Sequence, residues 1–590
     1  MNLILNRLNT QPIFLIFILS LLSSLIFWLI LRINNKTLKY GIILSIFLLF
    51  FGPSSIFFCI LFLLFSFNIS QKYQKHIVFV IFLLIQIYIF LGFFTNPFLS
   101  FILISVLVLF WLIKNVKTLS LPELPDLNPL DLFILFTSFF LASLPQSHYD
   151  AVNSNLYNAK QYILQNSFLP LKESISSLFP QNASAYYSFF YLFGHERGLI
   201  ISYLLPIFIL IFLIKQLKHH WVFYSLLTAP IIFFESSAGY YDLLIVTLSL
   251  VGLLNIASSP LESSLLFGFA AASKYFPAIF LPLSFIKLKH FSLKNIFLFL
   301  LLGLGPVTIW AIRTYLVTGS PIFPFAQQYF PTPILWPPGS PLENNPMIQT
   351  SMKLIDWIKG GFFYYPVTSF LYTSNFLESP SGFPGIGPII LFPLSIYYLF
   401  RKPSIIKVFC FFSLFAIGLI TRYYRYVWVF QFIFIFILIK GQKFNKFFWG
   451  VITIIIVLTN IRYTQIYYRS FNPNILYLLK PDYYLSANSP NDNPVSFLNK
   501  LNLSSKVILD SSNNYWGRFN FNAKTFQCHW YWYTWNQDKL TTKYTDFDYL
   551  ITSNPPLPTN NICQELVTKA INLQQPIYQD SHYQVYKISK

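Results

Sequence analysis

The chain consists of apolar blocks of about twenty residues separated by short polar loops. A helix of that length crosses the roughly 30 Å hydrocarbon core of a bilayer. The composition agrees, because 55% of residues are hydrophobic and 10% are charged, against about 45–50% and 25% in soluble domains. The pattern predicts a polytopic α-helical membrane protein with about 12–15 transmembrane helices and excludes an ordinary soluble enzyme.

The formal charge of +20 comes from 40 Lys and Arg against 20 Asp and Glu. It does not indicate a nucleic-acid partner, because the basic residues lie mainly in the loops, where the positive-inside rule places them. Four basic loops late in the chain are therefore assigned to the cytoplasm. They are residues 215–220, 287–294, 401–407 and 440–446.

This charge map predicts the crossings on either side of each basic loop. The early runs are residues 77–94, 98–113 and 130–143, and the later runs are 199–214, 221–234, 240–256, 297–312, 387–400, 408–420, 428–439 and 448–458. A single crossing by residues 265–285 would carry the basic loop that follows to the wrong face. Pro277 and Pro282 interrupt that block, so we expect a re-entrant or two-part element with Lys274 near its turn.

The same map divides the chain into segments of different character. We predict N-terminal transmembrane helices over 1–146, an external loop over 147–197, a transmembrane core over 198–316, an external loop over 317–385, C-terminal transmembrane helices over 386–463 and an external soluble α/β domain over 464–590. In the last segment, runs 506–510, 548–552 and 583–588 are strand-like, and run 564–573 is helical. Near the N-terminus, Gly52 and Pro53 split an apolar block that crosses once or twice. Residues 12–33 are too long for a signal-peptide core, so we expect a retained helix.

Several ionisable residues fall on the predicted external side, where their burial is costly and a functional role is expected. The acids are Asp150, Glu235 and Asp242, and the cations are Lys274, Arg313, Arg422 and Arg425. A carboxylate beside cations suits attack on a phosphate-linked donor, because it accepts the proton of the attacking hydroxyl while the cations stabilise the departing phosphate. The alternatives are a solvated or capping role for Asp150 and interfacial anchoring for the arginines.

A set of short motifs follows in order along the chain. The first external loop carries Tyr149-Asp150, Tyr157-Asn158-Ala159-Lys160-Gln161-Tyr162, Phe179-Pro180-Gln181-Asn182 and Tyr186, and later segments carry Gly239-Tyr240-Tyr241-Asp242-Leu243, Ala272-Ser273-Lys274-Tyr275, Trp310-Ala311-Ile312-Arg313-Thr314-Tyr315, Thr318-Gly319-Ser320-Pro321, Phe323-Pro324 and Thr421-Arg422-Tyr423. This ordered set resembles bacterial membrane glycosyltransferases of the GT-C superfamily. The similar branch contains protein mannosyltransferases, aminoarabinose transferases and rhizobial lipopolysaccharide-core transferases.

The resemblance implies a GT-C fold with external loop helices, and an inverting transfer of a hexose or pentose from a polyprenyl-phosphate carrier. Asp150 would be the catalytic base. Substrate-binding roles would fall to Lys160, Asp242, Lys274, Arg313, Arg422 and Arg425. For the donor phosphate, Arg313 and Arg422 rank above Lys274, and Arg425 is the substitute for Arg422. The alternative for Lys274 is pairing with a carboxylate such as Asp242. The acceptor would be a lipid, a glycan or a protein, and a divalent cation is left open as a cofactor. The expected location is the bacterial plasma membrane, with the site and the C-terminal domain facing the periplasm or exterior.

Two departures from the family pattern narrow this expectation. No second acid follows Asp150, and Asn158 stands where the family commonly has histidine, so protein O-mannosylation is disfavoured. The chain also lacks a Trp-Trp-Asp motif of the oligosaccharyltransferase kind. The rival hypotheses are a transporter or flippase for lipid-linked saccharides, which also has broken helices and intramembrane charges, and a polymerase or ligase of surface polysaccharide.

The four cysteines divide into two pairs. Cys59 and Cys410 fall in apolar runs and are predicted to be buried thiols. Cys528 and Cys563 lie in the predicted external domain, where an oxidising compartment permits a disulfide. Two free thiols are the alternative, because spacing alone does not bring Cα atoms within about 7 Å.

Overall fold

The computed structural model describes most of the chain up to residue 469 and short segments beyond it. The described residues are 12–120, 126–143, 154–171, 174–217, 220–237, 239–288, 291–323, 329–330, 385–420, 424–440, 442, 444–469, 494, 497–498, 500–501, 503, 505–510, 522–527, 547–553, 567–569, 571–572, 574–580 and 583–588. Two compact units are present. The helical unit contains Met1–Leu144, Tyr186–Val307 and Met352–Ile475, and the mixed unit contains Pro145–Ala185, Thr308–Ser351 and Leu476–Lys590.

The N-terminal part of the helical unit is a series of long helices joined by short turns. They are α1 (Pro12–Leu31), α2 (Lys36–Tyr73), α3 (Ile77–Phe94), α4 (Pro97–Lys114) and α5 (Pro129–Ala142). Asparagines precede three of them. Asn35 accepts from the Leu38 N–H before α2, Asn96 accepts from the Leu99 N–H before α4, and Asn128 forms a reciprocal capping box with Asp131 before α5. In the last two a proline follows at the first helical position, where its missing N–H is tolerated.

The middle of the chain contains shorter helices, several of which are interrupted. They are α6 (Leu156–Leu164), α7 (Asn182–Gly194), α8 (Glu196–Lys215), α9 (Tyr224–Leu227), α10 (Pro230–Glu235), α11 (Asp242–Asn255), α12 (Pro260–Ser273), α13 (Leu281–Ile286), α14 (Leu293–Phe299) and α15 (Gly305–Thr318). A π-helical turn, Leu300–Leu304, joins α14 to α15, and 3-10 helices cover Ile175–Leu178, His220–Phe223 and Phe276–Phe280. The last helices are α16 (Ile386–Arg401), α17 (Ile405–Ile420), α18 (Tyr424–Ile439) and α19 (Lys446–Arg469).

Six described segments are long and apolar enough to cross a membrane, and seven shorter apolar helices accompany them. The long segments are Leu38–Tyr73, Ile77–Phe94, Pro97–Lys114, Arg197–Lys215, Leu293–Thr318 and Phe447–Gln465. Their outward faces carry large apolar side chains: Leu49 is 76% exposed, and Leu107 and Phe110 are each 64% exposed. Water does not favour such a continuous apolar surface, whereas lipid does. The protein is therefore an integral, polytopic helical membrane protein, as predicted.

Helices α11 and α12 form the centre of the helical unit. Every residue from Asp242 to Leu253 is buried, and α11 packs against α8, α12 and α18. Gly268 of α12 lies so close to the π-helical turn that a Cβ would be 2.2 Å from the Gly303 carbonyl oxygen. Such close approach of two backbones through glycine is common between membrane helices, and it brings α12 next to the long α14–α15 segment.

Three helix breaks occur where the sequence contains Gly or Pro. Gly52 adopts a φ of +78° inside α2, which confirms the predicted split of that block. The run 221–234, predicted as one crossing, is not one continuous helix: Pro230 begins a new helix, and Ala229 before it is extended. The block 265–285 is in two parts as predicted, because α12 ends at Ser273 and Lys274 is extended.

Two ion pairs connect helix ends that the charge map assigns to the same, cytoplasmic side. Lys215 at the end of α8 lies 3.2 Å from the buried Asp131 carboxylate at the start of α5. Lys75 before α3 lies 3.1 Å from Glu262 in the first turn of α12. Each pair joins two helix ends that the charge map places on the same side of the membrane, so both pairs are consistent with that map.

The C-terminal residues form a five-stranded sheet in the order β2-β1-β3-β5-β4. The strands are β1 (Ser505–Asp510), β2 (Asn522–Gln527), β3 (Tyr549–Ser553), β4 (Tyr578–Gln579) and β5 (Tyr583–Lys587). Strand β1 pairs in parallel with β2 and β3, whereas β5 pairs antiparallel with β3 and β4. Residues 567–569 and 571–572 are helical, so the predicted small α/β domain is present.

Candidate functional site

A buried polar cluster of the helical unit lies where the start of α11 meets the end of α12. These helices are consecutive and joined by a short connection, so they pack as antiparallel neighbours. Asp242 occupies the first turn of α11, and Lys274 follows the last residue of α12. An acid at a helix N-terminus and a cation at a C-terminus both interact favourably with the helix dipoles.

Asp242 and Lys274 form a direct ion pair between the carboxylate Oδ1 and the ammonium Nζ. The Asp242 side chain is 2% exposed and that of Lys274 is 15% exposed. The sequence hypothesis that Lys274 pairs with a carboxylate such as Asp242 is therefore confirmed. Removal of a pair from water is favourable only with good geometry and further support, and aromatic rings supply that support here.

Two tyrosines enclose the Lys274 ammonium. Its Nζ lies 3.8 Å from the ring centroid of Tyr426 and 5.5 Å from that of Tyr241. A cation over an aromatic face is stabilised by about 2 kcal/mol when it is desolvated. We call Tyr241, Asp242, Lys274 and Tyr426 the helix-end cluster. Its two aromatic members were not predicted as partners of Lys274.

Further polar groups of the helical unit converge near this cluster. The Tyr187 hydroxyl donates to the Tyr240 carbonyl oxygen at 2.9 Å, and its ring lies 5.5 Å from that of Tyr203. Glu235, which is 1% exposed, is the last residue of α10. The predicted external ends of α10 and α11 therefore present buried hydrogen-bonding groups to one region.

The mixed unit contains the other described candidates, which lie in or against residues 154–171 and 174–182, here called the loop segment. Asn158 organises its interior: its amide Nδ2 donates to Ser176 Oγ and to Gln181 Oε1, each at 3.1 Å. Ser174 Oγ donates back to Asn158 Oδ1 at 2.9 Å. Asn158 is fully buried, so its satisfied amide fixes how α6 meets the following 3-10 turn. Lys160 lies on α6 and is partly exposed.

Arg313 of α15 is inserted into the same loop segment. Its Nη1 donates to the Phe168 carbonyl oxygen at 2.9 Å and to the Tyr162 hydroxyl at 3.2 Å. Its Nη2 donates to the carbonyl oxygens of Ser177 and Phe179. The side chain is 5% exposed, and among the described residues no carboxylate pairs with it.

This environment differs from the one that the phosphate hypothesis for Arg313 requires. A phosphate ligand presents its two terminal nitrogens to the anion, whereas both terminal nitrogens of Arg313 already donate to backbone carbonyls. The rank of Arg313 above Lys274 as a phosphate ligand has no support in this geometry. The contacts indicate instead that Arg313 organises the loop segment.

Three sequence candidates lie wholly or partly outside the described residues. These are Asp150 and Arg422, together with Arg425, whose backbone begins α18 but whose side chain is not described. Their roles stay predictions. Cys528 and Cys563 are also outside the described residues, whereas Cys410 is a buried free thiol as predicted and Cys59 is a partly buried one. Within the described part, no three His, Cys, Asp or Glu side chains come together as metal ligands.

The described residues thus define a polytopic helical membrane protein with a buried ion pair at the ends of two central helices and a small C-terminal α/β region. No protein-family model matches the chain, and no curated protein matches it. Among solved structures, it is similar to ArnT from Cupriavidus metallidurans, crystallised with undecaprenyl phosphate. That alignment covers 81% of this chain and 98% of ArnT, with a TM-score of 0.45 and 10% sequence identity, which is a distant likeness.

Proposed function

We propose that this protein is an integral-membrane glycosyltransferase that moves one sugar from a polyprenyl-phosphate carrier to an acceptor on the external face. The observation that carries the proposal is the buried pair of Asp242 and Lys274 at a helix break, under the Tyr426 ring. A desolvated cation at the predicted membrane boundary suits an anionic lipid headgroup, because attraction to phosphate is stronger there than in water. The ordered external motifs around Asp150 support the same proposal.

The proposed reaction is a single displacement at the anomeric carbon. The acceptor hydroxyl oxygen attacks that carbon while the bond from the carbon to the phosphate oxygen breaks, so the configuration inverts. Polyprenyl phosphate leaves with the bonding electron pair, and Asp150 accepts the hydroxyl proton. The charge that develops on the leaving phosphate is the reason that cations are needed nearby.

Lys274 is the first candidate for the phosphate ligand, with Arg422, Arg425 and Lys160 as further predicted contributors. Asp242 holds the Lys274 ammonium in place between substrates, and the tyrosine rings fix its direction. A phosphate that approaches this ammonium would share it with Asp242, as a charge-assisted hydrogen bond permits. The Lys274 ammonium can therefore bind the donor phosphate while it keeps its contact with Asp242, whereas the terminal nitrogens of Arg313 already donate to backbone carbonyls.

Membranes that contain the protein test the proposal when they are supplied with a panel of radiolabelled polyprenyl-phosphate sugars. Transfer of label to an endogenous acceptor is expected, and Asp150→Asn should lower the rate by about 10²–10⁴ because it removes the base and retains the shape. Asp126→Asn is the matched control, since Asp126 is an exposed acid outside the proposed site. Wild-type turnover in Asp150→Asn would refute the base assignment. Movement of intact labelled lipid across vesicles without transfer would favour the transporter.

A further inference from the structure

One face of the last turns of α15 carries three buried side chains, Trp310, Arg313 and Thr314. They are spaced at i, i+3 and i+4, so they lie side by side on the helix. They are 2%, 5% and 1% exposed, respectively, whereas the intervening and following residues Ile312 and Leu316 are 54% and 77% exposed. We call the three buried residues the α15 triad.

Each member of the α15 triad bonds to a different part of the loop segment. Besides the four contacts of Arg313, Thr314 Oγ1 donates to the Leu178 carbonyl oxygen at 2.9 Å. Trp310 Nε1 donates to Asn182 Oδ1 at 2.5 Å. The bonds therefore reach the end of α6, the 3-10 turn and the first residue of α7.

Aromatic packing joins the same groups. The Arg313 guanidinium carbon lies 4.5 Å from the Trp310 ring centroid, and the Phe168 ring packs edge-on to Trp310 with centroids 6.1 Å apart. Phe168 in turn packs edge-on against Tyr162 at 5.4 Å. The Trp310 ring thus covers a guanidinium that has no acid partner among the described residues, and the charge is compensated by carbonyl dipoles and the ring face.

The carbonyls that Arg313 satisfies explain why arginine is required at this position. The carbonyl oxygens of Phe168, Ser177 and Phe179 lie outside the regular hydrogen-bond pattern of an α-helix or a sheet. When they are buried, they need donors from another part of the chain, and Arg313 supplies them. Arginine supplies several donors in a rigid plane, whereas lysine supplies a single mobile point charge. Removal of the guanidinium would take away the donors that α15 supplies to all three carbonyls.

We propose that Trp310, Arg313 and Thr314 are positioning residues that hold the loop segment in the geometry required for sugar transfer. This inference rests on the proposed function, because Asp150 lies four residues before the first described residue of that segment, Ser154. A base must lie within hydrogen-bond reach of its proton, and a misplacement of about 1 Å lowers rates by up to about 100-fold. The triad acts through the segment and does not touch the reacting atoms.

The test uses the purified full-length protein with Thr314→Val, which keeps the side-chain shape and removes the hydroxyl donor. Thr314→Ser keeps the donor and serves as the rescue variant. The matched control is Thr459→Val in α19, where the hydroxyl donates to the Ile455 carbonyl oxygen of its own helix. Hydrogen exchange of residues 156–182 and steady-state transfer kinetics are measured for each variant. Trp310→Phe, which removes the Nε1 donor to Asn182, is a second variant that keeps the test decisive if Thr314→Val does not fold.

Thr314→Val should speed exchange in the loop segment by about fivefold, as loss of one hydrogen bond predicts. Its kcat should fall by about 5- to 100-fold with the donor KM within about twofold, and Thr314→Ser and Thr459→Val should match wild type. Unchanged exchange in both Thr314→Val and Trp310→Phe would overturn the inference, as would faster exchange with unchanged kcat. If wild type transfers no sugar, the proposed function fails, while the exchange data still decide whether the triad holds the segment.

Discussion

The ion pair of the helix-end cluster should make the helical unit sensitive to the loss of one carboxylate. Asp242→Asn leaves a Lys274 ammonium that is 85% removed from water, since its side chain is 15% exposed. Removal of one partner from a buried pair costs about 3–5 kcal/mol. The retained Tyr426 contact at 3.8 Å offsets part of that loss, so we expect a decrease of about 2–3 kcal/mol in the free energy of unfolding.

The ion pair between Lys75 and Glu262 provides a control of the same chemistry. Glu262→Gln also replaces an acid by its amide, but the Lys75 side chain that it leaves behind is 46% exposed. Water can solvate that ammonium, so the loss should be about 1 kcal/mol or less. Glu262 lies outside the proposed site, and its variant should retain wild-type turnover per folded molecule, whereas Asp242→Asn should lose turnover with the phosphate-linked donor.

A double-mutant cycle separates the pair from the rest of the cluster. Denaturant titration in detergent micelles, followed by tryptophan fluorescence, gives the free energy of unfolding for Asp242→Asn, Lys274→Met and the double variant. The double variant should lie within about 1 kcal/mol of wild type, because it removes both buried charges, and the coupling energy should exceed about 1 kcal/mol. A coupling energy below about 0.5 kcal/mol, or equal losses in Asp242→Asn and Glu262→Gln, would refute the reasoning.

Two further predictions concern pH and orientation. His76 Nδ1 accepts from the Val78 N–H at 3.3 Å at the start of α3, and burial lowers its pKa below the ordinary 6.5, against the opposing effect of Glu262. The unfolded chain therefore binds a proton first, so stability should be fully present above pH 6.5 and decline as the pH falls below it; His76→Asn should flatten the profile measured by unfolding at several pH values. A reporter enzyme that works only outside the cytoplasm should be active when it is fused after Lys590. The charge map places the basic loop 440–446 inside, and run 448–458 then crosses to the outside. Activity of a reporter that works only in the cytoplasm would contradict the map.

The long helices and the main break were predictable because local sequence dominates them. The run 77–94 is helix α3 without change, since an uninterrupted apolar stretch leaves the backbone no partner in lipid except itself. Lys274 lies at a break because Pro277 and Pro282 remove backbone donors just beyond it. The strand β2 was not found, because its sequence Asn-Ala-Lys-Thr-Phe-Gln lacks an alternating apolar pattern and its pairing with β1 is a long-range choice.

The candidate site was only partly predictable, as two of its cations show: the partner of Lys274 was predicted, whereas the partners of Arg313 were not. Lys274 was expected to find a carboxylate, and charge, helix polarity and chain order suffice for that expectation. Arg313 was expected to face a phosphate on the same reasoning, but its partners are carbonyl oxygens of Phe168, Ser177 and Phe179, more than 130 residues earlier in the chain. Every residue has a backbone carbonyl oxygen, so the side-chain pattern of a sequence does not show which of these oxygens lack a backbone donor in the folded loop.

The spacing of Trp310, Arg313 and Thr314 is the signal that could have separated these cases. A cation that binds a mobile anionic ligand needs at least one side that the ligand can reach. A cation flanked at i−3 and i+1 by residues with N–H or O–H donors belongs instead to a helix face that bonds to a fixed neighbour. Three donors on one helical face predict a surface of backbone acceptors opposite them, and the loop segment supplies that surface. By the same argument, a lysine that lies between aromatic rings and pairs with an acid is the better candidate for a charge that responds to substrate.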